Sequence, residues 1–323
     1  MKRLAYWLLA SIVMAAPAAG RAALSAATDG HPPAALSIRS ERALIVSPHP
    51  DDATIGAAGL IQRVATVGGS IRVVQLTGGD GFSKGVMAMR PGTPTPSDYR
   101  WYGSVREREA LRAMRRLGVD RARVRLLGFP DDGLCSLTSA YRTGPAFESP
   151  YTKREAPPGS EQIVPGTMYR GDDLIRELTE TIEEFRPTLV VIPHSGDQHP
   201  DHCATHLLVH QAVAAALERG LRPPRVLHYL VHFPKWPLAQ PGAVLPDEGI
   251  ARGWIWTSLA LTPAELATKQ SALGEFHSQE LVMQEFLSSF AGSSELFIDG
   301  EPPLPIPCWC SGVNITPPIR TVH

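Results

Sequence analysis

The segment ALIVSPHPDDATIG, residues 43–56, joins a hydrophobic run to a histidine between two prolines and then to two adjacent carboxylates. The prolines restrict the backbone around His49, because proline fixes its own φ and favours an extended conformation in the preceding residue. Asp51 and Asp52 are adjacent, so we expect their side chains to point in different directions. A catalytic zinc takes three protein ligands, among which imidazole and carboxylate groups are common. The segment therefore predicts part of a metal site, with one carboxylate left over as a base.

A second segment, HPDH at residues 199–202, repeats these residue types as His199, Asp201 and His202. An aspartate before a helix is most often an N-cap, so either segment alone would favour capping. Two such segments, each placed between a predicted strand and a predicted helix, are hard to explain by capping. We therefore expect both loops to contribute to one metal site.

The helix predicted after HPDH carries further histidines, which complicate the choice of ligands. His202, His206 and His210 recur every four residues and so share one helical face. A metalloprotease pair would have Glu after its first histidine, where this chain has Cys203. We expect His206 and His210 to lie in the core or to support the ligands indirectly, and Cys203 to be a small buried residue.

Strands and helices alternate along the chain, and the strands are nearly continuous apolar runs. This pattern predicts an α/β fold with a Rossmann-like, mostly parallel sheet and helices on both faces. The predicted strands are 43–47, 70–77, 123–129, 188–193 and 225–233, and the predicted helices are 53–68, 102–119, 171–187 and 200–220. Functional groups gather beyond the carboxyl ends of such strands, so the topology allows the two histidine loops to meet. The mostly helical segment 262–290 is expected to close the fold.

The composition is that of an ordinary globular protein, with 43% hydrophobic and 20% charged residues among 323. A net charge of −1 gives no reason to expect a nucleic-acid partner. Residues 1–19 carry Lys2 and Arg3, a short apolar run and an A-x-A site, a pattern that predicts a signal peptide. We expect export to the periplasm or medium without stable membrane insertion, then a linker over 20–40 and a single domain over 41–323. The sequence leaves the oligomeric state open.

The cysteines lack a C-x-x-C pair, so a structural zinc module is not supported. They are Cys135, Cys203, Cys308 and Cys310. Disulfides are possible in an exported protein, and four cysteines allow three full pairings. The pairing stays open at this stage.

Four segments in order resemble the LmbE-like, or PIG-L-like, metal-dependent N-deacetylases of N-acetylglucosaminyl compounds. They are PHPDD, VREREALRAMRRLGV, GFPDDGL and HPDH, and together they cover most of residues 43–217. The resemblance implies that His49, Asp52 and His202 bind Zn²⁺ or another divalent metal. It also implies that Asp51 is the general base, and that His199 stabilises the oxyanion or protonates the leaving amine.

The same resemblance implies that Asp201 orients a neighbouring histidine and that Arg106 and Asp131 contact the sugar. Two positions depart from the family pattern. Ala53 replaces a glutamate that many members have after the two aspartates. Asp197 stands where some members have a tyrosine that helps to stabilise the transition state.

The implied activity is zinc-dependent hydrolysis of an N-acetyl group from an N-acetylglucosamine-containing glycan or glycolipid, and the implied partner is that N-acetylated sugar. The long loops 78–100 and 138–166 are expected to shape the pocket. One alternative is a non-catalytic exported metal- or sugar-binding protein, suggested by Ala53 and opposed by the presence of Asp51 and His199. Another is a ferrous oxygenase with a two-histidine, one-carboxylate site. Such sites are usual on all-β barrels, which the alternation of strands and helices does not favour.

Overall fold

The computed structural model of the protein describes residues 33–234, 236–237 and 254–300. The predicted signal peptide, most of the predicted linker, Cys308 and Cys310 lie outside these residues. Within them, every helix is too short or too polar to cross a membrane.

The described residues form one mixed sheet of eight strands. The strands are β1 Ala34–Ala35, β2 Arg42–Ser47, β3 Ser70–Thr77, β4 Val124–Phe129, β5 Leu189–Pro193, β6 Arg225–Tyr229, β7 Trp256–Ala260 and β8 Ser294–Asp299. Their order in the sheet is β1-β7-β8-β6-β5-β2-β3-β4. Every neighbouring pair is parallel except the two that β8 makes with β6 and β7. The prediction of a mostly parallel α/β sheet is confirmed.

Helices cover both faces of this sheet. Within the described residues they are α1 Asp52–Thr66, α2 Ser83–Met89, α3 Pro96–Arg116, α4 Leu134–Leu137, α5 Gly171–Phe185, α6 Pro200–Glu218, α7 Pro263–Leu273 and α8 His277–Ser289, and a 3₁₀ turn lies at Arg121–Arg123. Successive side chains of β2 enter different cores: Ala43 and Ile45 pack in one, Leu44 and Val46 in the other. A strand buried on both faces must be apolar throughout, which explains the continuous hydrophobic runs of the sequence.

Several elements differ from the sequence-based prediction. Residues 34–35, inside the predicted linker, form β1 and pair with β7. Neither β7 nor β8 was predicted, and β6 ends at Tyr229, four residues before the predicted end. The predicted C-terminal helical segment is two helices, because α7 ends at Leu273 and α8 begins at His277.

A break in α1 is held by the C-terminal part of the chain. Ala57 has non-helical backbone angles, φ −145° and ψ 18°. The Glu295 carboxylate on β8 accepts hydrogen bonds from the backbone amides of residues 59–60, at 2.8 and 3.0 Å. The Lys269 ammonium on α7 donates to the Ile55 carbonyl at 2.9 Å and to Glu295 at 2.8 Å. A buried ion pair therefore satisfies backbone groups at the break.

The two described cysteines, Cys135 on α4 and Cys203 on α6, are both disulfide-bonded. Cys203 is fully buried, as expected. The expectation that it serves simply as a small buried residue is incomplete, because its sulfur is also part of a cross-link.

Candidate active site

The two histidine loops meet at the carboxyl edge of the sheet, because β2 and β5 are adjacent and parallel. His49 Nδ1 lies 3.1 Å from Asp52 Oδ2, and His202 Nε2 lies 3.2 Å from the same oxygen. The two nitrogens are 3.3 Å apart. The three predicted metal ligands thus present their donor atoms as a nearly equilateral triangle.

This triangle has the size that a tetrahedral zinc ion requires. Metal–ligand bonds of about 2.0–2.1 Å at tetrahedral angles place neighbouring ligand atoms roughly 3.3–3.4 Å apart. The donor set of two imidazoles and one carboxylate is also that of known catalytic zinc sites. The residues present therefore fit a divalent metal such as zinc.

Asp131 and Asp201 orient His49 through its other ring nitrogen. His49 Nε2 lies 3.2 Å from Asp131 Oδ1 and 3.5 Å from Asp201 Oδ2. Asp131 is itself held by the Gly81 amide at 2.6 Å. Asp201 accepts hydrogen bonds from the backbone amides of Asp132 and of Leu134, the first residue of α4, at 2.7 and 3.0 Å. A carboxylate behind a metal-binding histidine fixes the ring and makes it a better ligand. The structure thus places Asp131, which was predicted to contact the sugar, against His49 and at the cavity wall.

Asp197 plays the corresponding part for His202, which sequence reasoning missed. Its Oδ2 lies 3.1 Å from His202 Nδ1 and also accepts hydrogen bonds from the amides of Val231 and His232, at 2.9 and 3.0 Å. Its Oδ1 accepts from the amide of His199 at 3.0 Å. Asp197 was noted from sequence as a departure from the family pattern. Asp197 lies five residues before the candidate ligand His202, and this spacing could have suggested that it orients the histidine.

Asp51 stands at the N-cap of α1, but its side chain faces Arg106 instead of capping the helix. Asp51 Oδ1 lies 3.0 Å from Arg106 Nη2, and Arg106 Nη1 donates to the Gly79 carbonyl at 2.8 Å. Burial raises the pKa of Asp51, and the Arg106 guanidinium offsets this in part. The two adjacent aspartates therefore point to different partners, as predicted. Arg106, predicted to contact the sugar, lines the cavity while bound to Asp51.

The negative charge of the site favours a cation. Its buried aspartates, each at most 5% exposed, are Asp51, Asp52, Asp131, Asp197 and Asp201. Burial alone would favour the neutral form of Asp52, but His202 and His49 outweigh it and hold the pKa of Asp52 well below its usual range. Against burial, the carboxylates of Asp197 and Asp52 raise the pKa of His202 to about 9. A divalent cation at the triangle would replace these protons as the balancing positive charge.

His199 is the N-cap residue of α6, and its ring acts as a hydrogen-bond acceptor there. His199 Nδ1 accepts from the Asp201 amide at 3.2 Å. Burial and the neighbouring His49 and His232 lower the pKa of His199 well below its usual range, so the ring is neutral. A neutral ring that accepts at Nδ1 carries its proton on Nε2. His199 lines the cavity and can therefore offer an N–H donor to a bound molecule.

A cavity of about 310 Å³ opens above the ligand triangle. Its apolar wall is formed by Ile55, Phe82, Met283 and Phe286. His232 and Gln279 also line it, and His232 stacks on Phe286 with ring centroids 5.4 Å apart. The pocket thus combines an acidic, histidine-rich floor with an apolar side.

Sequence reasoning missed the contribution of the C-terminal part to this cavity. Three lining side chains come from α8, which was expected only to close the fold. Loop 78–100 contributes Gly81 and Phe82, as expected. Among the described residues, however, the cavity takes no lining side chain from 138–166. That loop reaches the site through Tyr151, whose hydroxyl donates to the lining residue Asp132 at 2.9 Å.

Fold and site together define the class: an α/β protein with a candidate metal-dependent active site at the carboxyl edge of its sheet. A model of the PIG-L family, described as GlcNAc-PI de-N-acetylase, matches residues 44–213, more than half of the chain. The chain therefore belongs to the PIG-L family, and the resemblance inferred from its motifs is confirmed.

One curated relative is the 1D-myo-inositol 2-acetamido-2-deoxy-alpha-D-glucopyranoside deacetylase of Nocardia farcinica. It is 29% identical over 189 residues, which cover 56% of this chain and 55% of that protein. The chain thus spans about half the length of the curated relatives it matches.

Two solved structures share the fold. A deacetylase of the teicoplanin biosynthesis pathway aligns with a TM-score of 0.50 at 22% identity, covering 80% of this chain and 96% of that one. GalB, the 4-carboxy-2-hydroxymuconate hydratase of Pseudomonas putida KT2440, aligns with a TM-score of 0.51 at 19% identity, covering 78% and 83%. At these identities the likeness shows the fold alone.

Proposed function

We propose that this protein is a metal-dependent hydrolase that removes the acetyl group from an N-acetylglucosamine-containing glycan or glycolipid. One observation carries the proposal. Three donor atoms form a triangle of zinc-site dimensions, and one carboxylate and one imidazole at the same cavity are left over for catalysis. Family membership and the activity of the Nocardia farcinica relative support the same class of substrate.

Different residues of the chain have different roles in the proposed amide hydrolysis. A divalent ion held by His49, Asp52 and His202 would polarise the acetamide carbonyl and make water more acidic. Asp51 accepts a proton from water as the water oxygen bonds to the carbonyl carbon. The His199 N–H donates a hydrogen bond to the developing oxyanion.

Asp51 then returns its proton to the nitrogen as the carbon–nitrogen bond breaks, which releases acetate and the free amine. Burial favours the protonated form of Asp51, which suits a group that must give its proton back. Arg106 favours the ionised form of Asp51, which must accept the proton, by stabilising its negative charge. Three further carboxylates position the ligand histidines without contacting the metal. His49 is positioned by Asp131 and Asp201, and His202 by Asp197.

The alternatives predict different observations. A pure metal- or sugar-binding protein would not need both Asp51 and His199 at the cavity. Ala53, which replaces a glutamate of the family pattern, is the observation that suggested a binding protein. Its side chain is buried within α1, 1% exposed. A ferrous oxygenase would consume oxygen, and its usual all-β scaffold differs from the α/β sheet of this chain.

The proposal includes export to the periplasm or medium, where a glycan substrate would be met. The charged and apolar pattern of residues 1–19 supports it. The disulfide-bonded Cys135 and Cys203 support it as well, because disulfides persist in oxidising compartments. Mass spectrometry of the natively produced chain is the test: a mature N-terminus near Gly20 is expected, and an intact Met1 in a cytoplasmic fraction would contradict export.

Acetate release tests the function directly. We would incubate the protein with N-acetylglucosaminyl-inositol and N-acetylated oligosaccharides and measure acetate itself, since the same fold also occurs in a hydratase. Release should stop with a chelator and return with Zn²⁺. Asp51→Asn should keep its metal and lose roughly 10²–10⁴-fold in turnover. Asp172→Asn, on the exposed start of α5, is the matched control. Full activity of Asp51→Asn, or loss of its metal, would refute the assigned roles.

A further inference from the structure

A second group of histidines lies between α6 and the sheet, away from the ligand triangle. We call His194, His206, His210 and His228 the rear histidine cluster. His206 and His210 stand one turn apart on α6, His228 is on β6, and His194 follows β5. The ring centroid of His206 lies 4.4 Å from that of His210 and 5.0 Å from that of His228. The proposed deacetylation uses none of these residues.

Three of these rings bring one nitrogen each close enough to share a metal ion. His206, His210 and His228 each offer one ring nitrogen, and these nitrogens all lie within 4.8 Å of one another. The Nε2 atoms of His210 and His228 are 3.5 Å apart. Bonds of about 2.0–2.1 Å to a tetrahedral zinc would put them roughly 3.3–3.4 Å apart. Two nitrogens at that distance need a proton or a cation between them.

A backbone carbonyl orients the His206 ring for this role. His206 Nδ1 donates to the Pro193 carbonyl at 3.2 Å, which leaves Nε2 with a free lone pair. A backbone carbonyl behind a ligand histidine is a usual arrangement in metal sites. Burial and neighbouring histidines lower the pKa of His206 to about 2 and that of His228 to about 3, so both rings are neutral. Neutral imidazole is the form that binds metal.

His194 adds an independent observation. It is fully buried, and its Nδ1 accepts from the Gly196 amide at 3.0 Å, so its Nε2 carries the proton. Among the residues that the structure describes, this Nε2 has no hydrogen-bond partner. Its ring lies edge-on to His228, with centroids 5.6 Å apart. A buried donor without an acceptor is costly, and a water or anion completing a metal's coordination would relieve it.

We propose that His206, His210 and His228 form a second divalent-metal site, which takes Zn²⁺ or a similar ion that prefers imidazole nitrogen. Three imidazole ligands suit zinc, copper or nickel rather than magnesium or calcium. A metal there would tie α6 to β6. These two elements support the catalytic site, because His202 is on α6 and His232 follows β6.

Metal stoichiometry of the full chain tests the proposal independently of any activity. The protein would be stripped with a chelator and titrated with Zn²⁺, or with Co²⁺ for its visible absorption, and circular dichroism would check the fold of every variant. The unaltered chain should bind two equivalents. His210→Gln should bind one and keep its acetate release, if the chain has that activity. His202→Gln should also bind one, and the double variant none.

His277→Gln is the matched control, because His277 lies on the exposed surface of α8 and should leave both equivalents in place. His210 is chosen because it is half-buried and tolerates replacement better than the fully buried His228. One equivalent in both the unaltered chain and His210→Gln, or two in His210→Gln, would overturn the second site. Failure of acetate release would leave this stoichiometry unaffected, so the two proposals fail separately.

Discussion

His49 and His202 each turn one ring nitrogen to the proposed metal position and the other to a carboxylate. The carboxylate contact decides which ring nitrogen is available for the metal. The aspartates that make this contact should therefore have a measurable effect on metal affinity. Asp131 and Asp201 contact His49, and Asp197 contacts His202. Asp197 is the most firmly held of the three, because its carboxylate also accepts hydrogen bonds from three backbone amides.

Asp197→Asn should weaken metal binding by about 10–100-fold, since an amide is a poorer acceptor for His202 Nδ1–H than a carboxylate. Asparagine has nearly the same shape, so the fold should survive. Competition with a chelating dye measures the affinity, and Asp172→Asn serves as the control. An unchanged affinity would show that His202 needs no such partner.

Arg106 controls the protonation of Asp51. Deacetylation should slow as pH falls through the pKa of Asp51, because a protonated carboxyl cannot accept a proton. A neighbouring guanidinium lowers a carboxyl pKa by about 1–3 units, so Arg106→Gln should raise the pKa of Asp51 further. The acid limb of the rate profile should then move to higher pH by a similar amount.

Arg106→Lys keeps the positive charge and should move that limb less. Arg116→Gln, at the exposed end of α3, should leave it in place. A profile of Arg106→Gln that coincides with that of the unaltered chain would assign the acid limb to another group.

Among the elements, the site depends on a helix and a strand that the family match does not include. The match covers residues 44–213 and so contains all three proposed metal ligands. The break in α1, whose first residue is the proposed ligand Asp52, is nevertheless held by Lys269 on α7 and Glu295 on β8. The C-terminal part therefore stabilises the element that carries the ligand.

Glu295→Gln should lower the free energy of unfolding by about 3–5 kcal/mol, because it leaves the Lys269 ammonium buried without its counter-charge. Urea unfolding measures the loss. Glu148→Gln removes one partner of an exposed pair and should cost less than about 1 kcal/mol. Equal effects of the two substitutions would mean that the buried pair contributes no more than a surface one.

At the scale of the whole molecule, the disulfide-bonded cysteines lie in the core on one face of the sheet. Cys135 and Cys203 both pack there, and Cys203 directly follows the proposed ligand His202. A cross-link at this place restrains the unfolded chain and the start of α6 together.

Reduction should lower the free energy of unfolding by about 2–5 kcal/mol and the melting temperature with it. Thermal unfolding with and without reductant measures the difference. Alkylation in denaturant without reductant should leave Cys135 and Cys203 unmodified. Modification of both under those conditions would show that the natively produced chain lacks these bonds.

The parallel core of the sheet and the place of the two histidine loops could be predicted from the sequence. Both follow from local patterns, since doubly buried strands must be apolar throughout and parallel strands share a carboxyl edge. His49, Asp52 and His202 could be named because their spacing and the family resemblance pointed to them, and the structure brings their donor atoms together. Their roles in catalysis stay predictions until they are measured.

The tertiary structure alone decided which side chains meet across long stretches of chain. Asp51 pairs with Arg106, and α8 supplies the apolar wall of the cavity. The short strands β7 and β8 have no distinct hydrophobic period, and β8 lies between β6 and β7 and runs antiparallel to both. Such pairings depend on shape and charge complementarity between residues far apart in sequence, which no local pattern of residues encodes.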